Sequence, residues 1–317
     1  MIVVLGNPDE PMVEDVFDTL HERGASVELV DLRELPATVQ FGANVDGGFL
    51  HLPDGRRLEL DADTAIYHRV GFANTQIFVE YSEEERRFAR QECLLALNAM
   101  LNGLPGLVVN RPSSACSNAS KPDQIRLLRH LGWDVPRTVV TNRPDIAAAF
   151  YHQHPDGVIY KSISYLRSIV RRMSEADLDR LETLRNCPVQ LQEAIQGVDY
   201  RVHVVGERVF ASRLEAEESD YRYDKTLQVV PDEIPASLAG KCIETARCLG
   251  LHLAGIDLRK SGDRYVCFEV NPSPAFSWYE ARGGQPITAA VCDLLQGHEA
   301  TRGTDSHPVP PAEGAKQ

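Results

Sequence analysis

The chain has 317 residues, 43% hydrophobic and 25% charged, enough for two or three compact units whose cores need no covalent staples. A formal charge of -13 repels phosphate backbones and anionic membranes, which argues against nucleic-acid or membrane-surface binding as the main activity. Seven cysteines with no CxxC and no regular spacing point to reduced thiols in a cytoplasm rather than a disulfide frame or zinc site.

Residues 2–5 are a fully apolar strand that runs into acidic positions too soon for a signal peptide, and no apolar run reaches the ~18 residues of a membrane span. A cytoplasmic protein is expected. Val13, Val16, Phe17 and Leu20 recur at helical spacing over 12–23, Gly24 ends that helix, and 26–30 read as the next strand. This is a β-α-β opening, as in a small parallel sheet. A Pro-Asp-Gly turn divides 51–60, a further strand covers 65–69, and Ser82 with Glu85 starts a helix over 83–101. The first unit closes near Asn110.

The Ser-, Asn- and Pro-rich stretch 110–121 reads as a connecting loop. Beyond it, 122–130 is a short helix, 138–141, 157–161 and 189–194 are strands, and a helix lies near 175–185. From Asp199 the chain alternates through Arg201, His203 and Val205, turns at Gly206 and Glu207, and returns through 209–214. A helix over 236–249 leads to a hairpin, and from Gly297 the chain reads as a disordered tail.

In that hairpin, AGIDLRKSGDRYVCFEVNPSPAF, strands 255–259 and 264–271 meet at a Ser261-Gly262-Asp263 turn. Period two sets Asp257 against Ile256 and Leu258, and sets Glu269 and Asn271 against Phe268 and Val270, so three oxygen-bearing side chains converge. Such hard ligands suit magnesium, and a site with few protein ligands leaves positions for phosphate oxygens. The alternative is a solvated hairpin face with ordinary acids. The prolines after Asn271 weigh against it, because they fix a loop rather than continue a strand.

The D…E-x-N-P-S-P pattern resembles the metal-binding hairpin of the ATP-grasp superfamily, and other motifs follow in that family's order. SKPDQIRLLRHLGWDVPRTVVT is similar to the entry to its nucleotide-binding subdomain, VIYKSIS to the strand bearing a second lysine, and QLQEAIQGVDYRVHVVGERVFAS to the hinge and central strands. The likeness covers about 110–295 and is nearest to RimK-type and microviridin-type ribosomal-peptide ligases; the latter share the run EVNPSPAF…YE…GQPI, here including Glu280, Gln285 and Ile287. It implies an α/β (α+β) ATP-grasp fold: a small parallel-sheet domain at 1–110, then two α+β subdomains at 111–190 and 191–296 that clasp ATP, then a tail at 297–317.

On the same resemblance, Lys121 and Lys161 reach the nucleotide phosphates, and Gln192, Glu193, Ala194 and Ile195 form the hinge at the adenine, with Glu193 as its side chain and Ile195 packed on the ring. Asp199 takes the ribose hydroxyls, Arg201, Arg213 and Arg222 steady an acyl phosphate, and Asp257, Glu269 and Asn271 hold magnesium, expected as two ions, with manganese as the other candidate. Rival readings are a surface lysine at 161 and surface arginines at 213 and 222 paired with Glu215, Glu217 and Glu218. The implied activity is an ADP-forming ligase joining the carboxylate of a peptide or amino acid to an amine or hydroxyl. Its partners are ATP and those two substrates, with no nucleic acid and no membrane; a homodimer is an open expectation. No protein nucleophile is needed, in keeping with the lack of a GxSxG motif. The alternative is a non-catalytic nucleotide-binding homologue acting as a regulatory or interaction partner. Retention of both lysines with Asp257, Glu269 and Asn271 favours the enzyme.

The chain departs from many such ligases after Lys161, where SISYLRSIVRRMSEADL carries no glycine; Ser162, Ser164, Arg167, Arg171 and Arg172 are candidates to cover the phosphates instead. His152 and His154 lack a third ligand at suitable spacing, and Gly240-Lys241-Cys242 does not complete a P-loop. In the N-terminal unit, Gly6-Asn7-Pro8 is either a ligand loop or a turn, and Arg69 is a candidate substrate contact.

Overall fold

The computed structural model describes residues 1–69, 81–115, 118, 120–163, 170–215 and 228–302. The chain divides into two units, Met1–Val108 with Val291–Gln317, and Val109–Ala290.

In the first unit, β1 (Ile2–Gly6), α1 (Pro11–Glu22) and β2 (Val27–Asp31) form the β-α-β motif with parallel strands, α1 burying Met12, Val13, Val16 and Leu20. β3 (Gln40–Ala43), β4 (Gly48–His51) and β5 (Arg57–Leu60) make a separate antiparallel sheet, and β3 was not assigned from the sequence. Gly55 closes the β4–β5 turn at φ +85°, a backbone state that side chains disfavour. β6 (Ala65–His68) pairs in parallel with β1, and α2 (Glu83–Gly103) starts in the capping box of Ser82 and Glu85. β7 (Leu107–Val109) completes the order β2-β1-β6-β7. Leu5, Val30, Leu60, Ile66, Leu97 and Leu101 share its core.

The second unit opens with α3 (Lys121–His130) and holds two sheets. The smaller one uses β8 (Thr138–Thr141), β9 (Val158–Lys161), β10 (Val170–Arg172) and β11 (Val189–Glu193) in the order β10-β9-β11-β8. Between β8 and β9 lies α4 (Pro144–Gln153), a helix the sequence reading left unassigned, and β10 is likewise new. The single helix expected near 175–185 is instead a short α5 (Glu175–Leu178) followed by a 3-10 segment, Leu181–Asn186. Its packing explains the change: Leu178, Leu181 and Leu184 all turn to the core at a spacing of three, the 3-10 period.

The larger sheet contains β12 (Val198–Val205), β13 (Arg208–Glu215), β14 (Gln228–Pro231), β15 (Leu253–Ser261) and β16 (Arg264–Asn271), ordered β14-β13-β12-β15-β16 and antiparallel throughout. One face buries Tyr200, Val202, Val204, Ile256 and Leu258 against α6 (Ala236–Cys248) and Trp133. The Trp133 indole donates to Thr245 Oγ1 at 2.8 Å, satisfying a buried polar atom. The opposite face carries the charged residues and α7 (Ser277–Gly283), whose Tyr279 packs on Leu214 and Val229.

The last helix, α8 (Ile287–Arg302), runs past Gly297, where the sequence reading began a disordered tail; residues 303–317 lie outside the described ones. Burial of Val291, Cys292 and Leu295 holds it, together with Arg23 Nη1 bonds to Asp293 at 2.8 Å and Gln296 at 2.9 Å. A helical glycine costs only about 1 kcal/mol relative to alanine, which such packing overrides. No described helix is long and apolar enough to cross a membrane.

Asn110, read from the sequence as part of a loop, is 8% exposed. Its Nδ2 donates to the Leu253 and Pro272 carbonyls at 2.6 Å each, and its Oδ1 accepts from the His252 and Leu253 amides at 2.7 and 3.1 Å. Asn110→Ala strands these backbone groups in the interior, so a stability loss of about 3–5 kcal/mol is expected. Urea denaturation checks this; a loss below about 1 kcal/mol would show that water replaces the amide.

Candidate active site

Directly opposed residues of antiparallel strands share a face. Glu269 opposes Asp257, and Asp257 opposes Arg201, so the three form one row across β16, β15 and β12. Asn271 lies two residues along the same strand, opposite Gly255. Arg201 is only 6% exposed, and its Nη1 sits 2.5 Å from Asp257 Oδ1. The Glu269 carboxylate pairs with no cation among the described residues. Asn271 Oδ1 accepts the Ser273 amide at 2.9 Å, which starts the Asn-Pro-Ser-Pro loop.

Phe268 departs from the expected alternation. A register shift after Asp257 pairs Leu258 with Cys267, leaving Phe268 as the extra residue of a bulge. Cys267 therefore takes the core position, while Phe268 lies under Lys161 and Arg259, with cation-to-ring distances of 5.7 and 5.5 Å. The bulge thus brings an aromatic ring to the polar face and ties the lysine of one sheet to the other.

Arg201 is caged. A Cβ on Gly255 would stand 2.4 Å from its Nη2 and 2.8 Å from Pro274 Cβ, and the Tyr279 ring lies 5.7 Å from its Cζ. His203, fully buried, stands edge-on to Tyr279 at 4.9 Å and has its pKa pushed well below the usual value by burial and then by Arg201. The imidazole is therefore neutral, and the guanidinium keeps the only positive charge of the pair.

On the smaller sheet, Ile159 and Lys161 share a face with Gln192 and Gln190, their register partners. Both glutamines are 1% exposed, and neither Oε1 has a hydrogen-bond partner among the described residues. Lys121 is the first residue of α3 and makes no ion pair among the described residues. The connection after β11 is partly committed: Glu193 Oε1 accepts the Arg137 amide at 2.7 Å, and the Ala194 amide donates to Gly157 at 2.9 Å. Asp199 is gripped by Arg259 through two bonds of 2.6 and 2.7 Å, and Arg259 also donates to the Ile195 carbonyl at 2.7 Å. A cavity of about 680 Å³ opens here between the two sheets, lined by Ile159, Ile195, Asp199, Arg213 and Arg259 among others. That volume lies in the range of small-molecule and cofactor sites.

Several expected residues are not gathered. Arg213 lines the cavity but opposes Tyr200, whose ring is in the core against α6, so it does not join the Arg201 row; it pairs with Glu215 at 2.6 Å. Arg222, Ser164 and Arg167 lie outside the described residues. Arg172 donates to the Asp156 carbonyl at 2.5 Å, and His154 Nδ1 donates to the Phe150 carbonyl at 2.7 Å. In the first unit Arg69 pairs with Glu10, and Asn7 Oδ1 accepts the Asp9 amide at 3.0 Å, forming a turn. Gln285 and Glu280 of the sequence motif act as ties: Gln285 Oε1 accepts from Ser212 at 2.8 Å, and Glu280 accepts the Thr288 amide at 2.9 Å. Sequence reasoning missed Arg259, Gly255 and the position of Phe268. A period-two count from Asp257 places Arg259 on the same face, the one signal available.

Two carboxylates and an amide oxygen are the donor chemistry that magnesium selects. Among the described residues no group of three His, Cys, Asp or Glu side chains is placed to hold a metal, so Asp257 and Glu269 would depend on oxygens of a bound ligand to complete a shell. The row next to the cavity therefore suits an ion that also touches an anionic ligand.

The model of the RimK-like ATP-grasp domain matches residues 119–295, more than half the chain. A probable alpha-L-glutamate ligase of Aliivibrio salmonicida is 25% identical over 223 residues, covering 65% of this chain and 71% of that protein. The structure of the ATP-grasp ligase PsnB complexed with minimal precursor, Mg and ADP superposes with a TM-score of 0.79 at 28% identity, covering 94% of this chain and 98% of PsnB. Macrocyclase MdnC of Microcystis aeruginosa MRC, bound with precursor peptide MdnA, has the same fold, with a TM-score of 0.81 at 24% identity and coverage of 94% and 100%.

Proposed function

Because the chain belongs to the RimK-like ATP-grasp family, we propose that this ligase joins a side-chain or terminal carboxylate of a peptide to an amine or hydroxyl, converting ATP to ADP. The observation that carries the reading is the Glu269, Asp257, Arg201 row beside a cavity of nucleotide size. The peptide assignment rests on PsnB, which is solved with a precursor, magnesium and ADP.

The halves 111–190 and 191–296 supply different parts. A carboxylate oxygen of the substrate attacks the γ-phosphorus, the bond to ADP breaks, and an acyl phosphate forms. The amine or hydroxyl then attacks the acyl carbon, phosphate leaves, and the nucleophile's proton passes to solvent or phosphate. Lys121 and Lys161 act as point charges on the phosphates, and the hinge at Gln192, Glu193, Ala194 and Ile195 bounds the adenine. Arg259 holds Asp199 and the Ile195 carbonyl in place, which presents a fixed acid edge to the ribose. Arg201, kept rigid by its cage, lies where the acyl phosphate develops charge. Asp257, Glu269 and Asn271 would hold magnesium, which supplies charge neutralisation at the phosphate oxygens.

The test is ADP release from ATP with magnesium and a panel of acidic peptides. Release should depend on both the peptide and the metal, and EDTA should abolish it. Absence of nucleotide binding would overturn the reading; binding without turnover on any carboxylate would instead favour a non-catalytic homologue. Manganese titration monitored by electron paramagnetic resonance would decide between one ion and two.

A further inference from the structure

We infer that Gln124 is a positioning residue for the magnesium ligands, acting through the backbone of β16. This rests on the assignment of Asp257 and Glu269 as ligands. β16 is the edge of its sheet, so alternate amides and carbonyls point outward; the Cys267 amide donates to the Asp134 carbonyl at 2.8 Å, and among the described residues no strand pairs with the rest of this edge. At Val270 a side chain takes the missing strand's place: Gln124 Nε2 donates to the Val270 carbonyl at 2.8 Å, and the Val270 amide donates to Gln124 Oε1 at 3.0 Å. Gln124 is 2% exposed, so no water competes for this paired bond.

Position gives the bond its consequence. The Val270 amide belongs to the peptide unit shared with Glu269, and the Val270 carbonyl to the unit shared with Asn271. One side chain therefore fixes both peptide planes from which the two proposed ligands project. Just beyond, the Pro272 carbonyl is held by Asn110. Gln124 also lies one helical turn after Lys121, the first residue of α3, so the amide couples a phosphate cation to the metal strand at a set distance.

A purely structural amide would close the sheet edge without affecting metal affinity. The two roles separate in ADP affinity measured by titration calorimetry with and without magnesium, on wild type, Gln124→Met, Gln124→Glu and, as a control, Thr245→Val. The control loses buried hydrogen bonds with Trp133 and the Lys241 carbonyl on the far side of the same core. Gln124→Met should weaken the magnesium-dependent gain in ADP affinity by about 10- to 100-fold, while metal-free ADP affinity changes less than about twofold. Gln124→Glu keeps the acceptor for the Val270 amide and should lose less; it carries the comparison if Gln124→Met does not melt cooperatively. Thr245→Val should leave the gain unchanged despite a lower melting temperature. An undiminished gain in the Gln124 variants, or an equal loss in Thr245→Val, would overturn the inference while the ligand assignment stands. No magnesium-dependent gain in the wild type would remove the ligand assignment itself.

Discussion

Glu269→Gln should abolish ADP release without weakening the fold, whereas Asp257→Asn should lose both activity and stability. The difference follows from who neutralises each acid. Asp257 is paired with Arg201, and that guanidinium is almost wholly buried, so removal of the carboxylate charge takes a close counter-charge from a desolvated cation. Breaking such a pair costs about 3–5 kcal/mol. Glu269 has no cation partner among the described residues, so its loss should change stability by no more than about 0.5 kcal/mol. Turnover should fall about a thousandfold or more in both, because charge on the transferring phosphoryl group would go uncompensated. Thermal melting and ADP release on the same preparations measure the two effects. Near-normal turnover in Glu269→Gln would remove it from the metal site.

The second large effect is expected at a residue that touches no substrate. Gly255→Ala introduces a Cβ that would lie 2.4 Å from Arg201 Nη2, 2.6 Å from its Cζ and 2.8 Å from Pro274 Cβ. The proline ring sits in the loop after the ligands, so the longer arginine side chain is the part that yields. Arg201 would be pushed off its position over Asp257, and a displacement on the order of 1 Å can lower a rate about 100-fold. Overpacking of this kind costs about 1–3 kcal/mol, so the variant should still fold. The expected signature is a fall in kcat with KM for ATP little changed, since the hinge and Arg259 are untouched. A variant with full kcat would show that Arg201 relaxes without consequence, and its role at the acyl phosphate would fall.

Much of the site was legible because strand periodicity is local. Within each strand the alternation of Asp257 and of Glu269 with Asn271 is plain, but the turn register alone would set Phe268 opposite Asp257, and the bulge is what brings Glu269 and Asn271 onto its face. Lys161 was legible as the end of a strand, whereas Lys121, read as the last residue of a loop, is the first residue of α3. The same counting failed at Phe268, because one bulged residue inverts the alternation and nothing in the string VCFEV announces it. Arg213 lines the cavity, yet it does not share a face with Arg201. Its likeness to a catalytic arginine is a matter of sequence order, whereas its register opposite Tyr200 assigns it to the other face.

Residue type and spacing over a few positions were enough to give most of the secondary elements, the order of the motifs and the chemical character of the metal-binding hairpin, but not β3, β10, α4 or the extent of the last helix. Tertiary structure decided which charges meet. Arg201 reaches Asp257 across 56 residues of chain, and Arg259 reaches Asp199 across 60. Gln124 closes the edge at Val270 across 146. Each of these contacts depends on strand register and on packing between sheet and helix. Register is a property of two segments together, set by the burial they achieve jointly, so no reading of either segment alone contains it.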